Sequence, residues 1–334
     1  MSILQFPHSS NPDNVKEIAD QILALSGELL QKPVSHTKKQ SIFHQQLLKS
    51  SLFSARIEGN TLTLAQSKEI DLKNPKQKTD LEISNVLKCL NNLHKLPAKL
   101  SLKSITSIHK QVMDKIDHGA GQLRSESSAI FDGLGNVVYL TPEPKDMMQM
   151  LDLLLQNHNK KLESTKQLIK SAECHYYYEK IHPFIDGNGR SGRVLLQHQL
   201  QKSSLFASYI LPVDEYFEKN RSQYYFHLEK NTRDIEPFVK FFLDGVVFSL
   251  KKLLQDIDNI SHNSSDTVVS LLPRRHELVE IIKDHPYISL DSLCRRFPTI
   301  PRRTMAYDVN WLVKNNHITK HGSTNGVRYS KLSE

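Results

Sequence analysis

The sequence predicts a mainly α-helical protein, and two kinds of pattern carry that prediction. Between residues 14 and 57, apolar residues recur at intervals of three and four, as in LLKSSLFSARI, and this spacing is typical of amphipathic helices. The same spacing returns in LPAKLSLKSITSIHKQVM and MMQMLDLLLQNHNKKL. The segment AIFDGLGNVVYL instead has two short β-favouring runs around a Gly-rich turn, so we expect one β-hairpin among the helices.

The order of these patterns divides the chain into three parts. We expect an N-terminal helical module over residues 1–95 and a helical core that contains the hairpin over residues 96–258. Within the core, QLIKSAECHYYYEKI and VLLQHQLQKS are predicted to be the helices on either side of a Gly-rich segment. The polar stretch NISHNSSD, residues 259–266, is a candidate linker to the part that follows.

Residues 267–334 form the third part, and their pattern differs from the rest. Three helical stretches precede two β-like runs around a glycine-containing turn, which is the order of elements in a winged helix-turn-helix domain. PRRTMAYDVNWLVKNN fits a recognition helix whose first residues, Arg302, Arg303 and Thr304, could contact DNA. A protein-docking surface or a merely structural role explains the same residues equally well, so these interpretations stay open beside DNA binding.

Composition narrows the class of protein. The net charge of +8 and the pI near 9.2 favour an anionic partner, such as a nucleotide or a nucleic acid. The three cysteines are scattered without a C-x-x-C pair, so neither a disulfide framework nor a zinc ribbon is expected. No apolar stretch reaches the length of a membrane span and no signal peptide is recognisable, so we expect a cytoplasmic protein with no membrane association.

The segment HPFIDGNGRSGR, residues 182–193, allows two interpretations. Its glycines satisfy the G-x-G-x-x-G spacing of a dinucleotide-binding turn, and Asp214 further on could then bind a ribose. That turn requires a hydrophobic strand before its first glycine. The preceding residues, HYYYEKIHPF, indicate a helix followed by a break at proline, so the sequence argues against a dinucleotide site.

The second interpretation is a phosphate-binding turn that opens a helix. Such a turn presents free backbone N–H groups and the positive end of the helix dipole to an anion. Arg190 and Arg193 fall in the first helical turn, where cations need an anionic partner, and their paired donors suit a triphosphate. Asp186 offers an oxygen ligand for magnesium, and His182 can accept a proton near neutral pH. The segment therefore predicts nucleotidyl transfer with a histidine base.

The same twelve residues match the signature H-P-F-x-D-G-N-G-R-x-x-R at every defined position, and the chain therefore resembles the Fic (filamentation induced by cAMP) family. GQLR at 121–124, the hairpin segment, and RSQYYFHLEKNTRDIEPFVKFFL resemble Fic segments in the same order. The resemblance implies a mostly helical Fic core with a β-hairpin flap over the site, preceded by a helical module and followed by the winged helix domain.

The activity that this resemblance implies is protein adenylylation. AMP would pass from ATP to a Ser, Thr or Tyr hydroxyl of a target protein, and pyrophosphate would leave. His182 would deprotonate the hydroxyl, Asp186 would hold Mg²⁺ or Mn²⁺, and Phe184 would anchor the loop in the core. The nucleotide would be bound by seven further residues: Gly187, Asn188, Gly189, Arg190, Arg193, Tyr225 and Asn231.

An upstream segment, SARIEGN at 54–60, predicts a restraint on this activity. Ser54 and Glu58 lie four residues apart on one helix face, and Gly59 is placed to end the helix in a left-handed conformation. A carboxylate at the negative end of a helix dipole favours a cationic partner. The stretch resembles the inhibitory helix found before many Fic cores, which implies that Glu58 pairs with Arg193 and disturbs γ-phosphate binding.

Several alternatives remain at this point. In some relatives the glutamate also supports removal of AMP from the target by orienting a water molecule, and the sequence does not choose between addition and removal. Another phosphate-containing donor could replace ATP. The chain could instead be a DNA-binding regulator whose Fic core senses nucleotide without catalysis, although the intact His182, Asp186 and arginines argue against that. The target, the hydroxyl type and the formation of a homodimer stay open.

Overall fold

The computed structural model describes residues 12–71, 74–131, 137–162, 164–206, 209–229, 234–262, 273–285, 287–298, 300–322 and 326–332. Within these residues the structure has fourteen α-helices and four short strands, which confirms the prediction of a mainly α-helical fold. The chain divides into two compact units, Met1–Ile260 and Ser261–Glu334. None of the described helices is both long enough and apolar enough to cross a membrane.

Eleven helices and one hairpin precede residue 263. In chain order they are α1 (Lys16–Gln31), α2 (His36–Ile57), α3 (Leu64–Glu69), α4 (Lys78–Asn91), α5 (Leu102–Val112), β1 (Ala129–Phe131), β2 (Val137–Leu140), α6 (Pro144–Asn159), α7 (Ser164–Ile181), α8 (Asn188–Leu200), α9 (Val213–Lys219), α10 (Arg221–Glu229) and α11 (Glu236–His262). Because α11 continues to His262, the first four residues of the predicted linker are helical.

Side-chain caps fix where several of these helices begin. Ser35 accepts a hydrogen bond from the backbone N–H of Lys38 at the start of α2. Thr63 and Gln66 form a reciprocal capping box at the start of α3. These bonds satisfy backbone N–H groups that have no partner within the helix, and each contributes about 1 kcal/mol to the stability of the helix terminus.

Helix α7 is the centre of the first unit, since its side chains are buried on several faces. Tyr176, Tyr177 and Tyr178 follow one another along the helix, and each is less than a tenth exposed. Helix α8 packs against α7 at close range through Gly192, where an added Cβ would lie 2.3 Å from the Glu179 carboxylate. Gly192 therefore serves the contact between the two helices that carry the segment 182–193.

The predicted hairpin forms from β1 and β2, which pair antiparallel. Ala129 lies opposite Leu140 and Ile130 opposite Tyr139, with an irregularity in register before Phe131. The pair is closed at its base by the backbone N–H of Thr141, which donates to the Ser128 carbonyl at 3.0 Å. The predicted Gly-rich turn falls at 132–136, outside the described residues.

The second unit contains three helices followed by one hairpin: α12 (Pro273–Asp284), α13 (Leu290–Arg296), α14 (Arg302–Lys314), β3 (Ile318–His321) and β4 (Arg328–Lys331). Its core is formed by apolar side chains that include Leu278, Leu293 and Leu312. An antiparallel bridge between Ile288 and Tyr329 joins the start of α13 to β4. The assignment of these elements to the winged helix class stays a prediction.

A buried acid secures the helices of the second unit. Asp308 on α14 is 1% exposed and accepts hydrogen bonds from Nε of Arg274 at 2.6 Å and of Arg275 at 2.8 Å. The Arg275 guanidinium also lies 4.1 Å from the centre of the Trp311 ring. Because Arg275 is itself buried, its charge depends on Asp308 for compensation.

We expect Asp308→Ala to lower the free energy of unfolding of the second unit by about 3–5 kcal/mol, because an uncompensated buried cation would remain. Trp311 is the single tryptophan of the chain, so urea unfolding followed by tryptophan fluorescence reports this unit. Asp291→Ala is the control, since the Asp291 carboxylate is 65% exposed in its ion pair with Arg302 and should leave the midpoint unchanged. Equal midpoints for wild type and Asp308→Ala would contradict the prediction.

Candidate functional site

The loop between α7 and α8 carries the predicted site, and its two ends have left-handed backbone conformations. His182 has φ of 49°, which is uncommon for a residue with a side chain, and its N–H still donates to the Tyr178 carbonyl at 3.0 Å. Gly187 has φ of 78° and is the N-cap of α8. The chain therefore leaves one helix and enters the next within six residues, with His182 at the first boundary.

Asn188 closes the loop with its side chain. Its amide Oδ1 accepts from the Phe184 N–H at 2.9 Å, and its Nδ2 donates to the Phe184 carbonyl at 2.8 Å. Asn188 is 2% exposed, so its side chain is committed to the loop. Any contact between Asn188 and a phosphate would therefore come from its main chain.

His109 on α5 packs against the loop between α7 and α8, and it could not be recognised from the sequence. Its ring stacks on Phe184 with 3.6 Å between ring centres. The Gly121 N–H donates to Nδ1 at 2.9 Å, so the ring proton lies on Nε2 and is donated to the Asp186 carbonyl at 2.7 Å. Burial lowers the pKa of His109, in agreement with this neutral form.

Arg124 is a second support that the sequence analysis noted only as part of GQLR. The side chain is buried, and Nε donates to the His182 carbonyl at 2.8 Å. The same guanidinium donates to the carbonyls of Glu126 and Pro142, and Pro142 follows the hairpin. Arg124 thus joins the backbone of His182 to the base of the β1–β2 hairpin.

The His182 ring is oriented as a proton acceptor. Nδ1 lies 3.3 Å from the Glu179 carbonyl, which can only accept, so Nδ1 carries the proton and Nε2 has a free lone pair. Burial is the largest influence on the ring and lowers the pKa of His182 below its ordinary value of 6.5. The imidazole is therefore neutral at neutral pH.

A cavity of about 580 Å³ opens beside His182 at the start of α8. Its walls bring together residues from α2, α7, α8, α10 and the hairpin. The lining residues are Glu58, Ile130, Tyr139, Glu179, Lys180, His182, Gly189, Arg193, Arg221, Ser222, Tyr224, Tyr225, Leu228 and Glu229. A space of this size is typical of small-molecule sites. The cavity thus unites His182, Gly189, Arg193 and Tyr225 of the predicted nucleotide site with Glu58.

Asp186 and Arg190 are outside this lining. The Arg190 guanidinium is buried, with Nη2 at 3.3 Å from Asp186 Oδ1 and Nη1 at 3.9 Å from Glu82. Its Nε and Nη1 have no hydrogen-bond partner among the described residues. Buried donors without an acceptor are costly, so Arg190 keeps capacity to bind an anion.

Arg193 is held by the end of α2. Its Nε donates to Ser54 Oγ at 2.9 Å, and its Nη2 donates to the Ser54 carbonyl at 2.8 Å and to Glu58 Oε1 at 2.9 Å. Gly59 follows with φ of 103° and ends the helix. Burial alone would lower the pKa of Arg193, but the surrounding acidic groups, Glu58 first among them, raise it. Arg193 therefore stays charged although it is only 2% exposed.

The remaining predicted residues lie in three places. The Tyr225 hydroxyl donates to the Ile57 carbonyl at 3.1 Å, at the edge of the cavity, whereas Asn231 lies outside the described residues. Arg302, Arg303 and Thr304 begin α14 in the second unit, where Arg302 pairs with Asp291.

The dinucleotide-binding alternative is excluded, since helix α7 and a loop precede Gly187 where a strand is required.

The described residues contain no group of three or more His, Cys, Asp or Glu side chains that could hold a metal ion. Asp186 remains as a single carboxylate, 57% exposed, with Oδ1 accepting from the Gly187 N–H at 2.6 Å. Magnesium is commonly bound by one or two carboxylates together with substrate phosphates. The residues present therefore fit a metal that binds together with a nucleotide.

Comparison with known proteins finds a family model that matches part of the chain. Residues 99–200 match the model of the Fic/DOC family, which confirms the resemblance found in the sequence. "Protein adenylyltransferase Fic" of Drosophila erecta is 30% identical over 201 residues, 57% of this chain and 38% of that protein. Its counterpart in Drosophila grimshawi is 31% identical over 205 residues, 57% of this chain and 39% of that protein. The chain thus spans under two fifths of these relatives.

Two solved structures show the same fold. A Fic family protein from Desulfovibrio desulfuricans G20 superposes with a TM-score of 0.67 at 22% identity, and the match covers 99% of each chain. Fic-1 (residues 134–508) from C. elegans superposes with a TM-score of 0.59 at 22% identity, and the match covers 74% of each chain. The Fic-type architecture is therefore established for this chain.

We expect Gly187→Ala to destabilise the first unit by about 1–3 kcal/mol. The left-handed φ disfavours a side chain, and the new Cβ would lie 2.5 Å from Met113 Sδ. Urea unfolding followed by circular dichroism measures the loss. The control is Gly27→Ala in α1, where nothing lies within 4 Å of an added Cβ and a gain of roughly 0.5–1 kcal/mol is expected. A Gly187→Ala protein as stable as wild type would contradict this description of the loop.

Proposed function

Because residues 99–200 match the model of the Fic/DOC family, we propose that this protein transfers AMP from ATP to a hydroxyl group of a target protein. The observation that carries the proposal is the shared cavity at the start of α8, which His182 and Arg193 line together. It places a neutral imidazole beside a helix N-terminus and a charged guanidinium. Nucleotidyl transfer to an alcohol requires a base for the hydroxyl proton and positive groups that bind the phosphates, and these groups provide both.

His182 acts as the general base in this proposal. Its Nε2 takes the proton from a Ser, Thr or Tyr hydroxyl of the target, while Nδ1–H stays bonded to the Glu179 carbonyl. The hydroxyl oxygen then bonds to the α-phosphorus of ATP. The bond from that phosphorus to the β-phosphate bridging oxygen breaks, and pyrophosphate leaves with the electron pair.

The start of α8 binds the phosphates. Backbone N–H groups at Asn188 and Gly189 and the helix dipole provide the anion site. Arg193 contributes its guanidinium once it is released from Glu58, and Arg190, which lies outside the cavity lining, would have to turn from Asp186 and Glu82 to reach a phosphate. Tyr225 also lines the cavity and would contact the adenosine.

Asp186 is the residue that would hold Mg²⁺ or Mn²⁺, since it offers an exposed carboxylate next to the phosphate turn. The metal would neutralise charge on the phosphates and orient them. Asp186 also faces Arg190 at 3.3 Å, so this arginine keeps the carboxylate near the turn before the nucleotide binds.

Glu58 restrains the enzyme. Its carboxylate occupies the Arg193 Nη2 donor, which the γ-phosphate needs, and it lies within 2.3 Å of the position of a Cβ on Gly189. While Glu58 is bound to Arg193, the γ-phosphate of ATP cannot bind Arg193. The nucleotide then binds in a position from which AMP is not transferred. The same carboxylate could orient a water molecule for removal of AMP, and the experiment below distinguishes the two roles.

We expect Glu58→Gly to increase AMP transfer at least tenfold, because Arg193 becomes free to bind the γ-phosphate. The measurement is incorporation of α-labelled ATP into the protein itself and into proteins of a cell lysate, with magnesium present. Glu28→Gln is the matched control, since Glu28 pairs only with Lys32 at the surface and should not change labelling.

Further outcomes test each assignment separately. His182→Ala in the Glu58→Gly background should abolish labelling, and persistence of labelling would refute the assignment of His182 as the general base.

With saturating ATP, the labelling rate should stay constant as pH falls to 6.5 and decline below it, because the pKa of His182 is lowered. Equal labelling by wild type and Glu58→Gly would refute the restraint, and release of AMP from labelled target by wild type alone would assign Glu58 to removal.

DNA binding is the second candidate function, and it belongs to the second unit. Arg302 and Arg303 are exposed at the first turn of α14, although Arg302 pairs with Asp291. We expect Arg303→Ala to weaken duplex binding in a mobility-shift experiment, with affinity that falls steeply as salt rises. Lys283→Ala, on a different helix and paired with Glu280, is the control. No shift with duplex at low salt would remove this candidate.

A further inference from the structure

A second carboxylate besides Glu58 faces Arg193, and it lies nearest a different guanidinium nitrogen, Nε. Asp214 on α9 is 1% exposed, and its Oδ1 lies 3.6 Å from Arg193 Nε. Ser50 Oγ on α2 donates to the other carboxylate oxygen, Oδ2, at 2.5 Å. Oδ1 has no hydrogen-bond partner among the described residues, so its role toward Arg193 is that of a charge.

The two acidic partners of Arg193 differ in exposure. The Glu58 side chain is 31% exposed and stands at the end of α2, so it is already partly in contact with solvent. Asp214 is enclosed and fixed by Ser50, so it cannot leave without unfolding its surroundings. A buried guanidinium without a counter-charge is strongly destabilised. The protein therefore needs a carboxylate that stays when Glu58 departs.

Glu179 is a further acidic group near Arg193, and it does not meet this need. Burial raises the pKa of Glu179 to about 8. Burial also raises the pKa of Asp214, but only to about 6, because Arg193 and the Ser50 hydrogen bond lower it, so Asp214 is the more readily ionised of the two carboxyl groups. The hydrogen bonds from Arg193 to Ser54 are neutral and offer no compensating charge.

We propose that Asp214 is the permanent counter-ion of Arg193 and a positioning residue for ATP, holding the guanidinium at the phosphate end of the cavity whenever Glu58 withdraws. This inference rests on the proposed function, since it concerns the same arginine. Asp214 touches no substrate, because Arg193 and Ser50 lie around its carboxylate. Its effect is to keep the γ-phosphate site formed before ATP arrives, which lowers the cost of ordering the arginine on binding.

The experiment measures nucleotide binding in a chain that carries Glu58→Gly and His182→Ala, so that Arg193 is free and ATP is not consumed. Isothermal titration calorimetry with magnesium gives the Kd of ATP and of AMP. We expect Asp214→Asn to weaken ATP binding about tenfold, while AMP, which lacks the outer phosphates, changes less than about twofold. Adding Arg193→Ala should abolish the difference that Asp214→Asn makes.

The matched control is Glu215→Gln, the next residue on α9, whose carboxylate pairs with Lys219 and Lys252. It should leave both affinities unchanged. Should Asp214→Asn fail to fold by circular dichroism, Ser50→Ala replaces it, since loss of the Ser50 hydrogen bond loosens the same carboxylate and should weaken ATP binding about threefold.

Two results overturn the inference and leave the proposed function intact. The first is unchanged ATP affinity in Asp214→Asn while Arg193→Ala loses affinity. The second is an equal loss for ATP and AMP, or a loss that persists in the Arg193→Ala background, which would mark Asp214 as structural. Failure of the starting chain to bind ATP at all would instead overturn the proposed function, and this inference with it.

Discussion

The enclosed charge of Arg193 is the constraint on which the site depends. Removal of a guanidinium from water costs on the order of several kcal/mol, and nearby carboxylates and hydrogen bonds must compensate for this cost. Helix α2 provides Ser54 and Glu58, and helix α9 provides Asp214. Elements that are far apart along the chain thus meet at one side chain of α8, and the end of α2 becomes part of the cavity wall.

A second group of contacts fixes the loop that carries His182. The left-handed backbone of His182 and the turn at Gly187 are less favourable than ordinary helix, so they persist only because the surroundings hold them. His109 bonds the Asp186 carbonyl from α5, and Arg124 bonds the His182 carbonyl. Both supports act on main-chain oxygens. The imidazole is therefore positioned by the backbone, while Glu179 fixes which nitrogen bears the proton.

Much of the fold and of the candidate site could be predicted from the sequence, because helical periodicity and the motif at 182–193 both involve residues that are close together in the chain. The helices, the hairpin and the grouping of His182, Gly189 and Arg193 follow from residues close in the chain. His109 and Arg124 could not be found that way, since they bond carbonyl groups 77 and 58 residues away and leave no spacing pattern. The sequence alone offers Asp214 only as a ribose ligand of a dinucleotide-binding fold, because its contact with Arg193 joins two different helices and leaves no spacing pattern.

The shared anchor at Arg124 has a mechanical consequence. One planar side chain ties the main chain of His182 to Pro142, just beyond the hairpin. Under the proposed function, a target polypeptide that contacts the hairpin would also act on the guanidinium that bonds the His182 carbonyl. Binding of the acceptor and alignment of His182 Nε2 would then be mechanically linked, so a poorly seated acceptor would meet a misaligned base.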